Sequence, residues 1–114
     1  MNTKQFNIIV KNFYARSLGV LIAKGQGYTE DKNADRLDHF KRAAAIDGET
    51  PEQAAKGMWK KHLVSILDII KMTETCPKKI TEDLIEEKLG DSVNYHGILY
   101  ALLIERLEEK NDTC

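Results

Sequence analysis

Apolar residues recur along this chain every three or four positions and show no convincing alternation, so the pattern predicts helices and no strand. Over residues 3–24, Phe6, Ile9, Val10, Phe13, Leu18, Leu21 and Ile22 form a broad apolar stripe. The glycines of Lys24-Gly25-Gln26-Gly27-Tyr28 are expected to stop this first helix, because glycine reaches the positive φ of a helix stop without steric cost. A second helix is predicted over about residues 32–46, ending at Asp47-Gly48; it is crowded with charge and has few residues to bury besides Leu37 and Phe40. The third has the clearest start: Thr50 suits an N-cap, Pro51 the first helical position and Glu52 the positive end of the dipole. It is read to about residue 72, followed by a loop over residues 73–79 with Pro77 as breaker. A fourth helix is predicted from residue 80 or 81 to about 110. Short connections, with no repeat, low-complexity tract or linker, predict one all-α domain, residues 1–114, folded as a compact helical bundle.

Within the fourth helix, Ile80, Leu84, Glu87, Asp91, Asn94, Ile98 and Ala101 share one face. The stripe is apolar at both ends and carboxylate, carboxylate, amide at its centre. Carboxylates in an apolar seam are costly unless a cation or hydrogen-bond donor meets them, which makes the centre a candidate site. The third helix has its own polar stripe, Met58, Lys61, Ser65, Asp68 and Met72, bordered by His62. If the two helices are antiparallel neighbours, Asp68 and Ser65 face Glu87 and Asp91. Asp68, Glu87 and Asp91 then form the candidate catalytic set, with Glu87 and Asp91 as ligands of Mg²⁺, a hard cation that prefers oxygen. The competing reading is a buried network that sets helix register, with Lys61 neutralising Asp68 or Glu87. Gly90 and Gly97 on one side of the same helix point to close helix packing or to close approach of a ligand.

A third group lies over residues 24–42. Gly25 and Gly27 admit close approach of a phosphate, Tyr28 offers a ring for stacking, and Arg36, His39, Lys41 and Arg42 supply donors. The plainer alternative is a helix stop followed by a solvated charged helix. With Lys61, His62, Ser65 and Asn94, the residues Tyr28, Arg36, His39 and Lys41 make up the candidate ligand-binding set. There is no GxxxxGK[ST], GxGxxG or HExxH motif, and Ser17, Ser65 and Ser92 lack a nucleophile-elbow context.

Composition adjusts this picture in three places. A formal net charge of −1 argues against general DNA binding, while local basic clusters can still hold an anion. The apolar run Phe6 to Val10 is too short for a signal peptide or membrane span, which points to the cytoplasm. The two cysteines, Cys76 and Cys114, show no metal-ligand spacing and read as reduced thiols, although a bond between them is sterically conceivable from sequence.

Three ordered blocks, KGQGYTEDKNADRLDHFKRAA (24–44), PEQAAKGMWKKHLVSILDI (51–69) and EEKLGDSVNYHGILYALLIER (86–106), resemble a small all-helical family common in phages and prophages, of nucleotide-modification-associated type. More loosely, Glu87-Lys88-Leu89-Gly90-Asp91 resembles the metal-binding EELGD helix of MazG-like all-α nucleoside triphosphate pyrophosphatases. Lys88 replaces that motif's central glutamate, and the upstream ExxE helix has no clean equivalent in residues 1–60. These resemblances imply a nucleotide or nucleotide-derived ligand in a host-cell cytoplasm. Mg²⁺-dependent pyrophosphohydrolysis is one expectation, with Lys61, Arg36 and Lys41 on the phosphates. Sequestration of a nucleotide signal to counter host immunity is another, and a helical protein-interaction module a third. Homo-oligomerisation is expected from the aromatic-rich first helix and the small residues of the fourth.

Overall fold

The computed structural model describes residues 1–28 and 33–109, with only the backbone described at Gly27 and Tyr28. Among the described residues the chain forms four α-helices: α1 (Thr3–Tyr28), α2 (Asp38–Asp47), α3 (Pro51–Thr75) and α4 (Glu82–Glu108), with a 3-10 turn at Pro77–Lys79. The all-α bundle expected from the periodicity is what forms.

The helix starts follow from local chemistry. Thr50 Oγ1 accepts from the Gln53 N–H at 3.2 Å while Gln53 Oε1 accepts from the Thr50 N–H at 2.8 Å, a reciprocal capping box ahead of Pro51. Asn2 and Gln5 make the same exchange at the start of α1, both at 2.9 Å. At α4, Thr81 Oγ1 accepts from Leu84 N–H, with Glu82 and Asp83 against the positive end of the dipole. Gly48 closes α2 in the left-handed region, φ +64°, which suits glycine.

Three boundaries differ from expectation. The first helix runs through Gly25 to Tyr28 instead of stopping near residue 24. Gly25 is buried, and a Cβ there would collide with Arg36 Nε, so this glycine provides clearance for a side chain and not a helix stop. The second helix begins at Asp38, after a turn in which Asp35 Oδ1 accepts from the Leu37 N–H at 3.0 Å; residues 29–32, part of the predicted start region, lie outside the described residues. The third helix persists to Thr75, close to Pro77.

Helix α4 is the central element. Helix α3 lies antiparallel along it, fixed at one end by the bidentate Arg106–Glu52 pair (2.9 and 3.0 Å) and midway by Trp59 Nε1 donating to Ser92 Oγ at 2.9 Å. Helix α2 packs on α3, and α1 packs on α4 and on no other helix among the described residues. Gly90 and Gly97 are part of that second contact: Cβ atoms there would stand 3.3 Å from Ser17 Oγ and 3.6 Å from Leu21 Cδ2. The core is small, formed by Phe40, Ala55 and Leu102 with Leu37, Met58, Tyr95 and Ile98 packed against it. The radius of gyration is 17.1 Å, above the roughly 13 Å usual at this length, because three long helices share few neighbours. No helix among the described residues is long and apolar enough to cross a membrane.

These roles separate in magnitude. Phe40→Ala is expected to lower the unfolding free energy by about 3–5 kcal/mol, and Thr50→Ala by only about 1 kcal/mol. Urea denaturation followed by circular dichroism measures both.

Candidate functional site

All four helices meet at one cavity of about 130 Å³. Helix α1 contributes Leu21 and Lys24, the turn before α2 contributes Arg36, and α2 contributes His39 and Phe40. Met58 and His62 come from α3, and Asp91, Asn94, Tyr95 and Ile98 from one face of α4. Phe40, Met58, Tyr95 and Ile98 also belong to the core or its flank, so the floor of the cavity is the best-packed part of the molecule.

Asp91 is the electrostatic centre, its side chain 22% exposed. Lys24 Nζ stands 3.8 Å from one carboxylate oxygen and His62 Nδ1 3.8 Å from the other. Both distances exceed hydrogen-bond range, so the attraction is through space. His62 Nδ1 is buried and has no hydrogen-bond partner among the described residues, a condition that costs about 1–3 kcal/mol when nothing fills it. The His62 ring lies beside Tyr95, centroids 5.4 Å apart, which fixes its plane. Arg36 is drawn over α1 as its Nη2 donates to the Leu21 carbonyl at 3.5 Å, in the space that Gly25 leaves clear.

On the far side of Asp91 and Asn94, between α1 and α4, lies a second cavity of about 290 Å³, to which Phe13, Arg16, Ser17, Glu86 and Glu87 contribute. The same two side chains line both cavities. At this end Arg16 pairs with Glu86 at 2.8 Å.

Of the residues singled out from sequence, Arg36, His39, His62, Asp91 and Asn94 are brought together in the first cavity. Glu87 lies at the second, its side chain 63% exposed and 3.5 Å from Lys88. Lys61 and Asp68 are exposed on α3. Ser65 donates to the Lys61 carbonyl at 3.0 Å, within its own helix. Lys41 lies outside both cavities and ties Asp35 (2.6 Å) and Glu105, pinning the start of α2 to α4. Hydrogen bonding to these carboxylates raises the Lys41 pKa, so it stays charged. The Tyr28 side chain lies outside the described residues. Asp68, Glu87 and Asp91 are therefore not gathered, and among the described residues no three His, Cys, Asp or Glu side chains are grouped to hold a metal ion. The reason is rotational: α3 turns His62 into the cavity, leaving Asp68 on an exposed face.

Lys24, Met58 and Tyr95 line the cavity, with the apolar Leu21, Phe40 and Ile98, without having been assigned to a site from sequence. Lys24 was legible in principle, since residues 17, 21 and 24 share a face once α1 continues beyond them.

The Lys41 clamp sets an acid limit. Its hydrogen bond, with that from the Leu37 N–H, holds the Asp35 carboxyl below the ordinary value of 3.8. A depressed carboxyl stabilises the fold fully above its unfolded pKa and loses that contribution as pH falls through the folded value. Urea midpoints measured from neutral pH to below pH 3.8, the ordinary pKa of the Asp35 carboxyl, should fall more steeply for the native chain than for Lys41→Met.

Compared with protein-family models, curated proteins and solved structures, the chain matches none.

Proposed function

We propose that this chain binds a nucleotide or nucleotide-derived signal in the groove between α1 and α4, with phosphate toward Lys24 and Arg36 and base or ribose edges toward Asp91 and Asn94. The observation that carries this reading is the open polar gap at Asp91. Lys24 and His62 each stop 3.8 Å short of the carboxylate, and His62 Nδ1 is buried without a hydrogen-bond partner among the described residues. A ligand with donors and acceptors satisfies both sides of such a gap. Lysine and arginine provide charge-assisted donors to phosphate, and Phe40 and Tyr95 add ring surface to the walls. The first cavity takes a phosphate or a single ring. Together with its 290 Å³ neighbour, it reaches the roughly 300–1,000 Å³ of small-molecule sites.

Sequence resemblance supports the same place. Apart from Leu21, every residue lining the first cavity comes from the three blocks, 24–44, 51–69 and 86–106, that resemble the phage and prophage family of nucleotide-modification-associated type. Retention fits the residues better than cleavage. The MazG-like reading needs carboxylates clustered on Mg²⁺, whereas Glu87 turns to solvent, Asp68 is exposed and Asp91 already faces two basic side chains. A protein of this kind would withhold a nucleotide signal from a host defence system.

Calorimetric titration with mono-, di- and cyclic nucleotides, with and without Mg²⁺, tests the proposal, followed by mass analysis of the recovered ligand. The expected result is stoichiometric binding and unchanged ligand. Lys24→Ala, Arg36→Ala and Asp91→Asn should each weaken affinity by about tenfold or more. Absence of binding across the panel rejects the site, and Mg²⁺-dependent conversion of the ligand replaces retention with pyrophosphohydrolysis.

A further inference from the structure

The seam between α3 and α4 has two edges. One carries His62 against Asp91 and Tyr95 and opens on the cavity. The other carries Trp59, whose ring meets His96 edge-on with centroids 4.5 Å apart. Following helical spacing from Trp59 leads to Leu63, Leu67 and Ile70. From His96, positions 89, 93, 96, 100, 103 and 107 alternate in steps of four and three, the spacing of a coiled-coil seam, and read Leu89, Val93, His96, Tyr100, Leu103 and Leu107. This face lies away from the cavity and is left open: Leu67 is 64% exposed, Tyr100 69% and Leu107 76%.

The chain exposes more surface than a compact folded monomer of its mass. Its accessible area is 8930 Å² for 13.0 kDa, against about 6,300 Å² for a folded monomer of that mass. The surplus, about 2,600 Å², is enough for the roughly 1,000–2,500 Å² that one subunit of an obligate homodimer covers. Charge selects the arrangement. Once the groups paired within the chain are set aside (Glu86, Glu87, Lys88, Asp91, Glu105 and Arg106 on α4, Glu52 on α3), α4 keeps Glu82, Asp83 and Glu108, whereas α3 keeps Lys56, Lys60, Lys61 and Lys71 against Asp68 and Glu74. Setting α3 on a partner's α4 joins opposite signs, and α4 on α4 opposes like ones. Helix α1 also exposes Phe6, Ile8, Ile9, Tyr14, Leu18, Val20 and Ile22, but it has no carboxylate to meet Lys4 and Lys11 of a second copy.

We infer that the α3–α4 face pairs with the same face of a second copy about a two-fold axis, each α3 lying on the partner's α4. The product is a central bundle of four long helices, with α1, α2 and the two ligand grooves on its outer sides. The inference does not rest on the identity of any ligand.

Sedimentation equilibrium of the full chain at micromolar concentration should give twice the 13.0 kDa mass. Leu67→Asp and Tyr100→Asp should each raise the dimer dissociation constant by about 30-fold or more, while Leu18→Asp on α1 leaves it unchanged. A native chain that is monomeric, or a dimer lost through Leu18→Asp and kept by the other two, overturns the inference. Should the Asp variants lose helicity, zero-length lysine–carboxylate cross-linking of mixed isotopically light and heavy native chains decides. Links between α3 lysines of one label and α4 carboxylates of the other support the pairing, and links confined to one label refute it.

Discussion

The packing of α4 against two different helices is the constraint from which the rest of the molecule follows. Helix α3 is held to it by a hydrogen-bonded indole at mid-length and a bidentate guanidinium at one end. Helix α1 presses against another side through Gly90 and Gly97. A helix gripped from two directions keeps a strip of its circumference between them, and here that strip carries Asp91, Asn94 and Ile98. Neither neighbour covers it, so it becomes the floor of a groove. The polar residues need not be fully buried to be organised; they need only stand between two walls already fixed for other reasons.

This placement also explains the electrostatic character of the groove. Asp91 sits among Lys24, Arg36 and His62, so the cavity holds more basic groups than acidic ones. A fully closed ion pair would have satisfied the carboxylate within the chain. Distances of 3.8 Å retain the attraction while leaving hydrogen-bonding capacity open. Clamps lie around these groups: Lys41 between Asp35 and Glu105 holds the start of α2, and the Tyr95 ring lies beside that of His62.

Most of the fold was legible because its signals are local. Thr50, Pro51 and Glu52 announce a helix start within three residues, and Gly48 a stop within one. Asp91 and Asn94 stood out because apolar residues flank them on one helical face. What sequence could not give was rotational phase. Spacing groups Lys61, Ser65 and Asp68 on a stripe, but only packing decides which stripe meets α4. Trp59 and the small residues Ala54 and Ala55 decide it, bringing His62 inward and leaving Lys61 and Asp68 outside. Gly25 was ambiguous for a related reason: the residue that explains it, Arg36, arrives only through the tertiary fold, and until then a glycine near a helix end reads as a stop.

That glycine sets two kinds of selection against each other. Inside a helix, almost any other residue lowers the entropy cost of ordering α1, so a search for heat resistance would favour replacing it. Every replacement carries a Cβ into the space of the Arg36 side chain. A chain optimised for rigidity alone would thus shift the Arg36 guanidinium within the groove without any visible change in fold.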